Sequence, residues 1–321
     1  MTPPGGREGN GTVKICFVGA GALGSTIGGT LAKGGHEVWL IDQHQAHVDA
    51  INAAGLRMLE GETETVARPQ ARTRADGIGP ADLVVVLVKS YHTRLAIEDA
   101  RPIVGPETMV MSVQNGMGHE DILSDVVGRE RVLAGKTYVG GVLLGPGHVR
   151  AGVAGKETVI GELDGHITDR VRRVADAFNG AGLITQVSDN IMGTIWDKLF
   201  INVATGAVSG ITRLPYGVLY AVPEIEQTAI AAVQEAMDVA RAAGVTVSFH
   251  DARGAWLKAA EGLPFEFKTS ILQSLEAGSP TEIDFINGAV VRWGEKTGVP
   301  TPVNRTLVAL MKGIERGLPK R

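Results

Sequence analysis

The stretch Val18-Gly19-Ala20-Gly21-Ala22-Leu23-Gly24-Ser25 decides the fold. It fits G-x-G-x-x-G at Gly19, Gly21 and Gly24, after an apolar run from Val13 to Val18 and before a small-residue stretch to Leu31 that can form a helix. Strand, glycine turn and helix in that order open a dinucleotide-binding βαβ unit. In such a unit the first glycine permits the tight turn, the second lets the backbone approach a pyrophosphate, and the third allows close helix packing. The helix N-terminus then presents free N–H groups and the positive end of its dipole to the phosphates. Gly19, Ala20, Gly21, Ala22, Leu23 and Gly24 are therefore the expected cofactor loop.

The next segment completes the unit. Glu37 to Ile41 reads as a second strand ending at Asp42. An acidic residue about 20 positions beyond the glycines accepts hydrogen bonds from an adenosine ribose and repels a 2'-phosphate, so Asp42 favours NAD(H). The other reading of Asp42 is a turn-forming residue at a strand end. Gln45 to Ala54 can be helical, and Gly55 to Arg74 reads as a β-rich excursion with turns. Leu83 to Val88 is a continuous apolar run, as in a strand covered on both faces, and Lys89 and Ser90 follow at its carboxyl end. Thr108 to Val113 repeats the pattern and finishes in Gln114, Asn115 and Gly116, where open α/β sheets place ligands. A plain Asn-Gly turn is the alternative for Asn115. Val132 to Tyr138, Val142 to Leu144 and Glu157 to Gly161 read as further strands, and Asp169 to Ala181 as a helix.

From Ile191 onward periods near 3.6 dominate. Met192 to Val208, Pro223 to Ala243, Ala255 to Glu261, Ser270 to Glu276, Glu282 to Thr297 and Asn304 to Arg316 can each be helical. The expected organisation is a loose tail over residues 1–12, a Rossmann-type α/β domain over 13–189 and an all-helical substrate and assembly domain over 190–321, with the active site in the cleft between the two domains.

Composition narrows the function classes. The 321 residues are 44% hydrophobic and 21% charged, with a net charge of -4, which lacks the basic excess that nucleic acid or an anionic membrane would favour. No apolar stretch reaches the roughly 20 residues of a membrane span, and the N-terminus resembles neither a signal nor a transit peptide. A cytoplasmic location is the expectation. The single cysteine, Cys16, excludes disulfides and cysteine metal clusters within the chain and suits a packing role in the first strand. Eight histidines show no H-E-x-x-H spacing, and no metal is expected.

Within the helix beginning at Met192, Lys198, Asn202 and Gly206 are spaced four apart and are read as one face, with Gly206 leaving an opening on it. A lysine on an amphipathic helix is ordinarily a solvated surface residue, but Trp196, Leu199, Phe200 and Ile201 make this helix apolar around much of its circumference. Ser270 and Glu282 begin further helices, where Ser suits an N-cap and Glu suits the first-turn dipole. Sequence physics alone does not assemble these four into a site.

Gly19 to Gly24, Val88-Lys89, Gln114-Asn115-Gly116, Trp196-Asp197-Lys198-Leu199 with Asn202, Ser270, and Thr281-Glu282-Ile283-Asp284 with Asn287-Gly288 resemble the ketopantoate reductase family (2-dehydropantoate 2-reductases). The likeness runs in order over nearly the whole chain, and the Lys198 and Glu282 segments are far more specific than the glycine loop. It implies a helical C-terminal domain like that of 6-phosphogluconate dehydrogenase and reduction of a 2-oxo acid by a nicotinamide cofactor, with NADP(H) as the family's usual choice. By the same likeness Lys198 is the catalytic acid, joined in the catalytic set by Glu282. Asn115 and Asn202 hold substrate and cofactor, Ser270 and Glu282 bind substrate, and Lys89 lies beside the cofactor. The residue types suit the chemistry, since hydride arriving at a carbonyl carbon generates an alkoxide that needs a positive charge and then a proton. The chain departs from the family at two places: Asp42 stands where an Arg matching NADPH is usual, and Gly206-Ala207 stands where a second Asn followed by Pro is usual.

Three functions follow. The leading one is a ketopantoate-reductase-like enzyme for ketopantoate or a related 2-oxo acid. The second is an NAD-dependent dehydrogenase of another hydroxy acid on the same scaffold, favoured by Asp42 and Gly206. The third is a catalytically silent NAD-binding module, against which the retained Lys198, Asn202, Ser270 and Glu282 count. The expected partners are a small 2-oxo or hydroxy acid and, for assembly, a second copy of the chain.

Overall fold

The structure is a computed structural model that describes residues 11–319. The tail expected over residues 1–12 thus falls almost wholly outside the described residues. The chain divides into two compact units, one built from the described residues up to Val88 with His92–Gln114 and Glu120–Asp189, the other from Lys89–Tyr91, Asn115–His119 and the chain from Asn190 onward.

The first unit runs β1 (Lys14–Val18), α1 (Ala22–Lys33), β2 (Glu37–Ile41), α2 (Gln45–Ala54), β3 (Leu56–Glu60), β4 (Thr63–Ala67), β5 (Gln70–Arg72), β6 (Leu83–Val86), α3 (Thr93–Asp99), β7 (Met109–Ser112), α4 (His119–Val127), β8 (Val132–Thr137), β9 (Gly140–Gly145), β10 (His148–Gly152), β11 (Thr158–Glu162), α5 (Asp169–Gly180) and β12 (Thr185–Val187). Eight strands form one sheet in the order β12-β11-β8-β7-β6-β1-β2-β5, and every neighbour is parallel except β8 with β11. The order reverses between β1 and β6, the switch point at which open α/β sheets bind ligands beyond their carboxyl ends.

Alternation along each central strand feeds two cores. Ile15 and Phe17 of β1, with Leu83 and Val85 of β6, pack on one face against Ile27 and Leu31 of α1. Cys16, Val18, Val84 and Val86 pack on the other against Ile97, Ile103 and Leu123. Burial pushes the Cys16 thiol up to about 12, which removes it as a nucleophile at neutral pH. The β-rich excursion resolves into β3, β4 and β5, and a second sheet in the order β4-β3-β10-β9 lies over α1.

The second unit contains α6 (Ile191–Thr212), α7 (Tyr216–Leu219), α8 (Pro223–Ala242), α9 (Ala252–Ala260), α10 (Ser270–Glu276), α11 (Asn287–Thr297) and α12 (Pro302–Arg316). The helix α6 is its axis and touches α8, α9, α10 and α12. Trp196 is fully buried, with Phe200 and Trp293 rings at 6.0 and 6.1 Å. Among the described residues no helix is long and apolar enough to cross a membrane.

The structure corrects several expectations. The helix read over Glu282 to Thr297 is broken: a 3-10 turn, Ile283–Phe285, precedes α11, with Ile286 between them at φ -107 and ψ -96. Its apolar residues kept a helical period, but the backbone breaks where Phe285 gives its carbonyl to Met117. The short α3, α4 and α7, the strand β10 and the three-residue β12 went unread, because runs this short carry a weak periodic signal. Ser270 does not cap α10. Thr269 does, its side chain accepting from Leu272 N–H at 3.1 Å, and Ser270 is exposed at the first helical position.

Trp196→Ala is expected to cost about 3–5 kcal/mol of stability, whereas Leu257→Ala, at a position 55% exposed, should stay within about 0.5 kcal/mol of wild type. Chemical denaturation of both variants checks this.

Candidate active site

The glycine loop does three different jobs at its three glycines. Gly19 has φ +101, and a Cβ there would stand 2.7 Å from the backbone of Leu87 and Val88, so no side chain fits where the loop passes the end of β6. Its N–H donates to Ile41 C=O at 2.8 Å, tying the loop to β2. Gly24 would place a Cβ 2.1 Å from Gly19 O, so it lets the first turn of α1 close on the loop. Gly21 differs from both. It has φ -61, none of the described residues lies within 4 Å of a Cβ built on it, and it is the N-cap of α1 with no side-chain capping bond and no acidic residue in the first turn. Backbone N–H groups at the positive end of a helix thus border open space, which fits a phosphate.

Asp42 stands at the end of β2 and serves this loop directly. Its Oδ2 accepts from Ala20 N–H at 2.9 Å and its Oδ1 from His44 N–H at 2.9 Å. The carboxylate thus shapes the turn, the second of the two readings of Asp42, and each oxygen has a further acceptor lone pair. Gln114 joins the ends of β6 and β7, donating from Nε2 to Val88 O at 2.6 Å while its Oε1 accepts from Ser112 Oγ at 2.8 Å.

In the second unit, two strand-end segments are fastened to the turn that carries Glu282. Glu282 is half-buried, and its Oε1 accepts from the N–H of Ser90 at 3.1 Å and from its hydroxyl at 2.5 Å. It therefore does not act as a helix cap. Ser90, 1% exposed, lies beside exposed Lys89. The Asn115-Gly116 segment meets the same turn: Gly116 at φ +90 has Phe285 O only 2.3 Å from a built Cβ, and Met117 N–H donates to Phe285 O at 2.8 Å. His119 stacks on Phe285 with ring centroids 4.8 Å apart and planes 3° from parallel, and its Nε2 donates to Asn115 O at 3.0 Å. Asn115 thus sits in a bend before Gly116, held to the Glu282 segment.

Lys198 and Asn202 are half-buried on α6, next to the buried Trp196, Leu199 and Val203. Asp197 turns away and accepts from Ser248 N–H at 2.9 Å. Gly206 does not open the face shared by Lys198 and Asn202. At 100° per residue an eight-residue step leaves Gly206 rotated by about 80° from Lys198. It is buried, and a Cβ there would stand 3.1 Å from Ile271 Cδ1 of α10. Ser270 precedes that Ile271, and Thr269 Oγ1 donates to Ser209 Oγ at 3.3 Å, so the start of α10 lies along the later turns of α6. Ser90, Phe285 and His119 were not assigned roles from the sequence, because no short-range pattern pairs Ser90 with a residue 192 positions away.

Comparison with known proteins decides the family. The family model described as ketopantoate reductase PanE/ApbA matches residues 15–165, and its C-terminal companion matches residues 190–315. The chain belongs to the ketopantoate reductase family. The Halobacterium salinarum 2-dehydropantoate 2-reductase is 35% identical over 95% of this chain and 99% of its own. The solved PanE/ApbA family ketopantoate reductase from Ralstonia eutropha JMP134 superposes with a TM-score of 0.86 at 38% identity, covering 95% of this chain and 99% of its own. A D-mandelate dehydrogenase solved with NADH and anilino(oxo)acetate gives 0.87 at 27% identity, covering 95% and 99%. Members of the ketopantoate reductase family are nicotinamide-dependent oxidoreductases acting on a CH–OH group.

The three glycines should separate by experiment. Gly21→Val is expected to fold with a Tm near wild type yet weaken dinucleotide binding by more than about tenfold, because its side chain enters only the open space. Gly24→Val should instead lose stability by several kcal/mol, on the order of a severe steric insertion. Calorimetric titration and thermal unfolding of the two variants read both effects.

Proposed function

We propose that this protein reduces a 2-oxo acid, ketopantoate or a close analogue, to the 2-hydroxy acid with NADH as the donor. The observation that supports this best is that a chain of this family has both an open glycine cradle at Gly21 and a half-buried lysine on a largely buried helix. Residues 13–189 serve as the dinucleotide-binding part and residues 190–321 as the substrate part. A bound nicotinamide supplies the hydride to the carbonyl carbon. The cradle at Gly21 binds the pyrophosphate through backbone N–H groups. Lys198 offsets the negative charge growing on the carbonyl oxygen and delivers a proton to it. Asn115 and Asn202 orient the substrate and cofactor with neutral donors, and Ser270 and Glu282 bind the substrate, Glu282 in a rotamer fixed by Ser90.

Asp42 carries the cofactor preference. Its carboxylate can accept from ribose hydroxyls and would face a 2'-phosphate as a like charge. The kcat/KM ratio for the two cofactors should favour NADH and move toward NADPH in Asp42→Arg; equal values or a preference for NADPH in wild type would contradict the assignment. Lys198→Ala should lower kcat by about 100-fold or more while NADH affinity stays near wild type, as expected for a group acting in the transition state. Near-normal turnover would return Lys198 to the surface-lysine reading.

A second reading is favoured by Asp42 and by the likeness to D-mandelate dehydrogenase in complex with NADH: an NAD-dependent dehydrogenase of a different hydroxy acid. Steady-state rates with a panel of 2-oxo and hydroxy acids separate the two, because the first requires ketopantoate to be among the best substrates.

A further inference from the structure

Behind the glycine loop lies a buried chain of hydrogen bonds that no part of the reaction explains. Ser25 Oγ donates to Ala20 O at 2.7 Å, His47 Nε2 lies 3.1 Å from Ser25 Oγ, and His47 Nδ1 accepts from Gly147 N–H at 3.0 Å. Ser25 is 0% exposed and His47 3%. The donors settle the tautomer: a backbone N–H can only donate, so Nδ1 carries no proton, and Nε2–H donates to Ser25 Oγ while the Ser25 proton goes to Ala20 O. Gly147, at φ +65 in the turn between β9 and β10, is seated on α2, where a Cβ would meet Ala50 Cβ at 2.8 Å. The chain therefore runs from that turn through α2 and α1 to the loop.

Ser25 is not simply bonding back along its helix. Thr26 and Thr30 do that, donating to the carbonyls of Ala22 and Thr26 four residues earlier, both at 2.8 Å. Ser25 reaches five residues back to Ala20, which lies before the N-cap Gly21 and so belongs to the loop. Ala20 N–H is already held by Asp42 at 2.9 Å. The peptide groups on both sides of Ala20 are thereby fixed immediately before the glycine that faces open space.

We propose that His47 and Ser25 are positioning residues that hold the glycine loop in the conformation that receives the dinucleotide's phosphates. This rests on the reading above that the Gly21 cradle binds the pyrophosphate. The pair works only with a neutral imidazole. Burial lowers the His47 pKa from the ordinary histidine value; Asp42 raises it and His44 lowers it further. An imidazolium would set an Nδ1–H against Gly147 N–H, two donors facing each other. Because the folded-state value lies below the unfolded one, the contribution to stability is complete above about pH 6.5 and is lost as the pH falls toward the folded value. Dinucleotide affinity should fall only further down, as the imidazole of the folded protein is itself protonated and the relay breaks.

The test uses the full chain with NADH as the probe, comparing Ser25→Ala, His47→Leu and His47→Gln by NADH dissociation constant, kcat at saturating NADH, and Tm. Ser25→Ala and His47→Leu should raise Kd about five- to tenfold with kcat within about twofold of wild type. His47→Gln, which keeps one donor and one acceptor, should recover most of the affinity and should lack the rise in Kd that wild type shows as the pH is lowered below about 6.5. A purely structural role would lower Tm and leave Kd for NADH within about twofold in both variants, which would overturn the proposal. Should the variants fail to fold, a wild-type Kd unchanged down to the lowest pH at which the protein stays folded would overturn it equally. Gly21→Val separates this proposal from the reading beneath it: undiminished NADH affinity in that variant means that the cradle reading has failed, whereas lost affinity there with none lost in Ser25→Ala and His47→Leu means that only the positioning role has.

Discussion

Close backbone approach at the carboxyl ends of β1, β2 and β6 is the constraint on which the dinucleotide-binding unit depends. Gly19 passes the Leu87–Val88 backbone with no room for a Cβ, and its N–H is spent on Ile41. That crossing brings Asp42 within hydrogen-bonding distance of Ala20 and leads directly into α1, whose third fingerprint glycine closes on Gly19 itself. The result separates two kinds of glycine. Gly19 and Gly24 are required by the protein's own packing, while among the described residues nothing packs where a Gly21 side chain would stand. A position left open by the fold, with α1 N–H groups around it, is what a negatively charged ligand group can use.

The helical unit meets a different demand, which is to keep a charged side chain on a helix that is otherwise largely buried. Trp196, Leu199, Phe200 and Val203 anchor α6 in its neighbours, and Lys198 and Asn202 fall on the strip that burial does not claim. The Glu282 turn has its own supports in Ser90, Phe285 and His119, so its geometry does not rest on a regular helix.

Much of this was legible in the sequence, and the failures have physical causes. The β2, α2 and α10 boundaries read correctly because strong turn residues or caps flank strongly patterned runs. The central parallel strands β1, β6 and β7 were visible as short apolar runs, covered on both faces. Glu282 was misread as a helix start because apolar spacing persists through a turn whose backbone is diverted to Met117, a contact remote in sequence. Gly206 was placed on the Lys198 face by counting in fours, and the 0.4-residue excess over one turn, taken twice, rotates it into the Ile271 contact. His47 and Ser25 drew no attention, since a buried serine and histidine reveal their connection only when α1 and α2 are placed side by side.

The central claim is that this chain delivers hydride from NADH to the carbonyl carbon of a 2-oxo acid. The most direct measurement is isotope transfer: NADH deuterated at C4 of the nicotinamide, in each of its two stereochemical forms, is incubated with the protein and ketopantoate, and the product is read by proton NMR and mass spectrometry. The account predicts deuterium at C2 of the 2-hydroxy acid from one of the two forms, with one NAD formed per product molecule. Absence of label from C2 with both forms, while deuterated NADPH does transfer it or while no 2-oxo acid is reduced at all, would contradict the account.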